Sequence, residues 1–134
     1  IVGVKDSSYN LYENLKIENF SVLPGSELKL LKGLEIGCSG IITATCNVTA
    51  AISRKVYDDY KSNKLQTANE MLCNVRNVFD QFNLISGLHS FMADKDIIYK
   101  NILPPISLLC KKDKIKLIED LNKLNFKLES LRAA

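Results

Sequence analysis

Ile1-Val2-Gly3-Val4-Lys5-Asp6-Ser7-Ser8 opens the chain as a short apolar run that ends on one lysine and breaks into small polar residues. An apolar run of this length, bounded by turn-formers, reads as a strand buried on both faces, as in a parallel sheet. Lys5 then stands where the strand leaves the sheet, at the carboxyl-end rim where α/β folds bind their ligands. An ammonium held there against apolar walls loses hydration, its pKa falls, and a nucleophilic amine becomes accessible near neutral pH. The plainer reading of its position is a solvated lysine at a strand exit.

Outward from this strand, Asp6 to Asn10 carries turn-forming and capping residues, and Leu11, Tyr12 and Leu15 sketch a short amphipathic helix. Asn19-Phe20-Ser21-Val22-Leu23 reads as a second strand stopped by Pro24-Gly25. Ser26 is placed to cap a helix, with Glu27 in its first turn where the helix dipole favours negative charge, and Gly37 is placed to end it. Gly40 to Thr45 is rich in β-branched residues and predicts a third strand. Asn47 or Thr49 can cap the next helix, from about Val48 to Ser62. Strands that alternate with helices at this spacing predict βα units around a parallel sheet, joined by right-handed crossovers.

Beyond Asn63 the pattern is helical only. Leu65, Ala68, Leu72, Val75, Phe79 and Phe82 step by threes and fours along one face of a long helix. Leu84 to Asn101 predicts a further helix broken near Gly87 and Asp94, and Pro104-Pro105 prevents a helix from passing through. A last helix from about Lys112 to Leu124 turns Ile115, Ile118, Leu121 and either Leu117 or Leu124 inward. The expected organisation is therefore residues 1–62 as βα units and 63–134 as a helical extension.

The 134 residues are 46% hydrophobic and 25% charged, ordinary for a soluble globular domain with a substantial core. Lysines are interspersed with acids and the net charge is only +3, a poor footprint for nucleic acid. No apolar run has the length of a membrane span. Cys38, Cys46, Cys73 and Cys110 form no C-x-x-C pair and His89 has no ligand-spaced companion, so the pattern is not that of a zinc site. Free thiols in a reducing cytoplasm are expected. Tyr57 and Tyr60 read as packing residues, His89 as a local hydrogen-bonding group, and Lys111 to Lys114 as a solvated helix start.

Three parallel strands leave open sheet edges, whereas a closed (β/α)₈ barrel needs eight strands and about 250 residues. The chain also opens on Ile1 inside a strand and reads as a piece of something longer. In this setting Val2 to Ser8, Phe20 to Glu27 and Gly37-Cys38-Ser39-Gly40-Ile41-Ile42-Thr43-Ala44 through Asn47 resemble the sixth, seventh and eighth strand ends of one family. That family is the dihydrodipicolinate synthase / N-acetylneuraminate lyase group of Schiff-base (class I) aldolases. The stretch from Lys61 to Ala68 and the segment Leu103-Pro104-Pro105-Ile106-Ser107-Leu108-Leu109 are similar to its helix junction and closing segment.

The resemblance implies an α/β fold, the last three βα units of a TIM (β/α)₈ barrel followed by a helical extension. It implies Lys5 as the lysine that forms an imine with pyruvate or another 2-oxo acid, and Gly25 and Ile42 as residues lining that pocket, largely through backbone. Ser7, Ser26 and Glu27 match positions where some sialate-lyase-type members contact substrate hydroxyls, while Ala44 replaces a hydroxyl residue those lyases use. Glu27 reads equally well as a first-turn acid, and Gly25 as a plain turn glycine. No cofactor or metal is implied, and the partners are a 2-oxo acid and an aldehyde, not nucleic acid or membrane. Complete members are commonly cytoplasmic homotetramers.

Two family motifs, a Tyr-x-x-Pro loop and a Gly-Thr-Thr-Gly-Glu carboxylate grip, do not occur in this sequence. The expectation is thus a catalytically incomplete chain of a pyruvate-type lyase or synthase. Dihydrodipicolinate synthase and a 2-keto-3-deoxy-sugar-acid or 4-hydroxy-2-oxoglutarate aldolase are the competing activities; Ser86 to Phe91 departs from the synthase pattern. A non-catalytic binding or assembly module is the reading from another class.

Overall fold

The computed structural model describes residues 1–128; residues 129–134, the end of the expected helical extension, lie outside the described residues. Those described form two compact units, Ile1–Cys73 and Asn74–Leu128.

In the first unit, β1 (Gly3–Asp6) and β2 (Ser21–Pro24) pair in parallel, with Gly3 opposite Ser21 and Asp6 opposite Pro24. The approach is close: a Cβ on Gly3 would stand 2.7 Å from the Ser21 carbonyl oxygen, so the first residue of the pair must be glycine. β1 is not buried on both faces as expected. Ile1 and Val2 precede it fully exposed, Lys5 is exposed, and only Asp6 is buried, because β2 is its one strand partner among the described residues.

The helix expected around Leu11 and Leu15 reduces to a single turn, closed by Leu15 N–H on the Leu11 carbonyl at 2.7 Å. The Asp6 carboxylate already takes the amides of Leu11 and Tyr12, so this stretch wraps around a side chain instead of building a ladder. β2 starts later than expected because Asn19 takes a left-handed turn conformation, φ 55°.

Ser26 caps as expected, its Oγ accepting the Leu28 N–H at 3.3 Å, although it opens a 3₁₀ turn, Glu27–Lys29, that leads into α1 (Leu30–Glu35). Gly37 ends α1 at φ +95°, and the amides of Gly37 and Cys38 return to the carbonyls of Leu34 and Gly33. That pair of bonds is the Schellman stop.

The expected third strand does not form. Residues 39–45 run beside β2 with only two backbone bonds, Ser39 N–H to Val22 O at 3.4 Å and Ile42 N–H to Pro24 O at 3.1 Å. Three steps on one side match two on the other, and Gly40 sits at φ +149°, so no regular ladder develops. Helix α2 (Cys46–Lys61) comes next, starting two residues earlier than expected from Thr45. Neither Asn47 nor Thr49 is its cap: the Asn47 amide donates back to the Ala44 carbonyl at 2.8 Å, and Thr49 is buried inside the helix.

Leu30 and Leu34 of α1 pack with Val56 of α2 and with Ala68 and Leu72, and Tyr60 adds its hydroxyl to the Leu34 carbonyl at 3.0 Å. A second cluster joins Tyr12, Val22 and Cys38. Helix α3 (Asn69–Phe79) carries Leu72, Val75 and Phe79 buried as its spacing predicts, but Leu65 lies before its start and is exposed.

The second unit holds the end of α3 with α4 (Leu84–Met92) and α5 (Lys111–Lys123). Gly87 does not break α4. It lies in mid-helix where a Cβ would stand 3.4 Å from Phe79 Cδ1, so it is a packing glycine. The end expected near Asp94 is met at Met92. In α5, Leu117 and Leu121 are buried while Ile115 is half-exposed, a rotation of the inward stripe by part of a turn. Phe79 and Phe91 meet edge to face at 6.0 Å. His89 Nδ1 lies 2.8 Å from the Tyr99 carbonyl oxygen, a local bond. No described helix is long and apolar enough to cross a membrane.

Candidate active site

The carboxyl ends of the strands gather four of the six expected site residues by backbone alone. Lys5 is the third residue of β1, opposite Leu23, and Ser7 lies just past the strand. Gly25 N–H donates to the Asp6 carbonyl at 3.0 Å, and a Cβ on Gly25 would stand 3.3 Å from both Ser7 Cα and Ser7 Oγ. Glycine there lets the exits of β1 and β2 touch; a side chain would make Ser7 give way by a few tenths of an ångström. Ile42, bonded through its amide to Pro24, completes the rim. Lys5, Ser7 and Ile42 are exposed. The apolar enclosure expected around the lysine is not built by the described residues.

Ser26 and Glu27 are placed differently. Ser26 is 3% exposed and spends its Oγ on the 3₁₀ cap. Glu27 is 0% exposed: Thr49 Oγ1 lies 2.9 Å from its Oε1 and Thr43 Oγ1 3.0 Å from its Oε2. The first-turn acid reading of Glu27 thus comes with an unexpected addition, a set of threonine partners from the next segment. The sequence signal for it is Thr43-x-Thr45-x-x-x-Thr49, hydroxyls spaced to share one side of a helix start.

Asp6 is the residue that sequence reasoning passed over, having read it as a turn-former. It is 1% exposed, and its carboxylate accepts the amides of Tyr12 at 2.9 Å and Leu11 at 3.0 Å and the Ser8 hydroxyl at 3.2 Å. Burial pushes its carboxyl up, but the donors from Leu11, Tyr12, Ser8 and Tyr9 outweigh that and hold it below the usual carboxylate range. Lys29 Nζ stands 5.7 Å from the ring centres of both Tyr9 and Tyr12, pinning the same loop from outside. Asp6 thereby fixes the backbone on either side of Ser7, next to Lys5.

A cavity of about 280 Å³ lies among Tyr12, Lys16, Phe20 and Cys38, and none of the six expected residues lines it. Burial pushes the Cys38 thiol up there, and its Sγ lies 3.7 Å from the Tyr12 carbonyl oxygen. All four cysteines are free thiols.

The family model described as the dihydrodipicolinate synthetase family matches residues 1–124 of this chain. The chain belongs to this family. Comparison with curated proteins gives no significant match. Among solved structures, dihydrodipicolinate synthase from Aquifex aeolicus is similar over 97% of this chain and 47% of its own, with a TM-score of 0.81 at 21% identity. A 2-keto-3-deoxygluconate aldolase from Sulfolobus sulfataricus, in complex with D-KDPG, is similar over 92% of this chain and 45% of its own (TM-score 0.79, 19% identity). A prophage protein of the family from E. coli K12, in complex with pyruvate, is similar over 93% and 46% respectively (TM-score 0.75, 20% identity). The chain spans under half the length of these structures, and the likeness confirms an α/β fold that matches the carboxyl-terminal part of theirs.

Proposed function

We propose that this chain supplies the carboxyl-terminal part of a Schiff-base lyase or synthase site, made of the last three βα units of a barrel and a helical extension. The observation that carries the reading is Lys5 at the carboxyl end of a parallel strand, with the Gly25 and Ile42 backbones beside it on adjacent exits. In this reading the Lys5 amine attacks the ketone carbon of a pyruvate-type 2-oxo acid, and loss of water leaves an iminium. The iminium accepts the electron pair released when the neighbouring carbon loses a proton. The resulting enamine adds to an aldehyde, and the reverse sequence cleaves a carbon–carbon bond. Of the other expected site residues Ser7 stands nearest the reacting lysine in sequence, and it is accessible. Ser26 and Glu27 act from beneath the rim, since burial leaves them no face toward a substrate.

Dihydrodipicolinate synthase and a 2-keto-3-deoxy-sugar-acid aldolase remain the two forms of this reading, as both occur among the structural relatives. The organisation into residues 1–62 and 63–134, a cytoplasmic location and a homotetrameric whole protein belong to the same proposal. A second reading, an assembly module, rests on β1, which has one strand partner among the described residues and follows the exposed Ile1 and Val2.

Borohydride reduction in the presence of pyruvate tests the reading, with circular dichroism to confirm folding and mass spectrometry to locate the adduct. The expected result is one stable adduct on Lys5, absent in Lys5→Ala, without aldol turnover by this chain alone. A folded chain that gives no adduct at Lys5 overturns the catalytic reading in favour of the assembly module. Turnover by the isolated chain overturns its incompleteness.

A further inference from the structure

We infer that Glu27 is a positioning residue, a buried clasp that sets where the Ile42 backbone stands on the rim. The segment carrying Ile42 has two backbone bonds to β2 and no ladder, so the sheet alone does not define its register. Glu27 comes directly after the β2 exit, two residues past Gly25, and its own placement is fixed by the Ser26 cap. From there one carboxylate reaches both ends of the following connection. Oε2 takes Thr43, the residue after Ile42, and Oε1 takes Thr49, inside α2.

The proton count gives the clasp a direction. Thr43 has one hydroxyl proton, and directing it to Glu27 leaves its oxygen to accept. Thr45 stands against that oxygen twice, its amide donating at 3.3 Å and its hydroxyl oxygen lying 2.9 Å away. Thr49 Oγ1 also lies 3.0 Å from the Thr45 carbonyl oxygen, so its proton stands between a carboxylate and a backbone acceptor. Glu27, Thr45 and Thr49 are each 0% exposed. In such a site a carboxylate is tolerated only while its hydrogen bonds hold, so moving residues 43–45 away from it is strongly opposed. Thr43 directly follows Ile42, so holding its side chain restrains the Ile42 backbone, whose amide bonds Pro24.

The structural half of this inference stands alone; its effect on substrate rests on the Schiff-base reading. Thr43→Val removes the hydroxyl at nearly constant shape, and Thr43→Ser keeps it. Amide hydrogen exchange on the full chain reads the segment directly. Exchange at Ile42 is expected to rise about tenfold in Thr43→Val, to stay near the unaltered rate in Thr43→Ser, and to leave Ser21, whose amide bonds Val2, unchanged in both. Glu27→Gln gives a smaller rise and serves where the valine variant fails to fold. In borohydride trapping, the half-saturating pyruvate concentration is expected to rise several-fold in Thr43→Val while the rate at saturating pyruvate holds, with Thr43→Ser restoring it. Unchanged Ile42 exchange in Thr43→Val, or a serine variant as impaired as the valine one, overturns the clasp. Exchange that changes as expected in a protein that traps no pyruvate in any form upholds the clasp and removes the Schiff-base reading.

Discussion

Two buried carboxylates flank the same rim, and they hold their segments by different means. Asp6, the last residue of β1, gathers backbone amides, closing residues 7–12 into a knot around one side chain. Glu27, just past β2, gathers threonine hydroxyls from a segment that is distant in sequence. The Leu11 and Tyr12 amides and the Ser8 hydroxyl all donate to Asp6, which favours its ionised form. The Glu27 contacts come instead from side chains, the hydroxyls of Thr43 and of Thr49 in α2. One region is closed by a short local loop; the other joins residues 16 and 22 positions apart in sequence.

The strongest test of this contrast is Asp6→Ala. It strands the Leu11 and Tyr12 amides around a buried gap and is expected to lower stability by about 3 kcal/mol in urea unfolding. Gly25→Ala comes next. Its new Cβ would meet Ser7 Cα and Oγ at 3.3 Å, so the exits of β1 and β2 must part, at about 1–2 kcal/mol in the same assay. A loss as large as that of Asp6→Ala would show that the touching exits, not the carboxylate, hold the rim together.

Acid sharpens the comparison further. The folded Asp6 pKa lies below its unfolded value of about 3.9, so its contribution is full above that value and is lost as pH falls through the lower folded pKa. Asp6→Asn keeps an acceptor for the amides without the charge. It is expected to be about 1 kcal/mol less stable than the unaltered chain at neutral pH, with the gap closing below about pH 4. A gap that stays constant with pH would mean that Asp6 does not ionise differently on folding. The smallest effect expected is that of Lys29→Met, which removes the cation from the Tyr9 and Tyr12 rings for about 0.5–1 kcal/mol and weakens with added salt only slightly.

Features that rest on near neighbours were legible in the sequence. Ser26 capped, Gly37 stopped α1, and α3 and α5 presented apolar faces, because each depends on a residue's own conformation or on spacing along a few turns. Failures came where distant groups intervened. Gly87 looked like a break and is a seat for Phe79; Ile115 looked buried and is half-exposed, while Leu117, one of two alternatives, is buried. The β-branched run from Gly40 to Thr45 looked like a strand, yet its threonines bond a carboxylate and its backbone meets β2 at only two points.

The sequence by itself determined the family, the first two strands, and the one lysine at the end of the first of them. Only the tertiary structure decided that Lys5 is exposed while its neighbour Asp6 is buried, and that Glu27 faces threonines within the protein. Alternation along a strand says that neighbours face opposite ways, but which way is inward depends on the segment that covers them. Those segments, residues 7–12 over Asp6 and 43–49 over Glu27, are brought there by the fold.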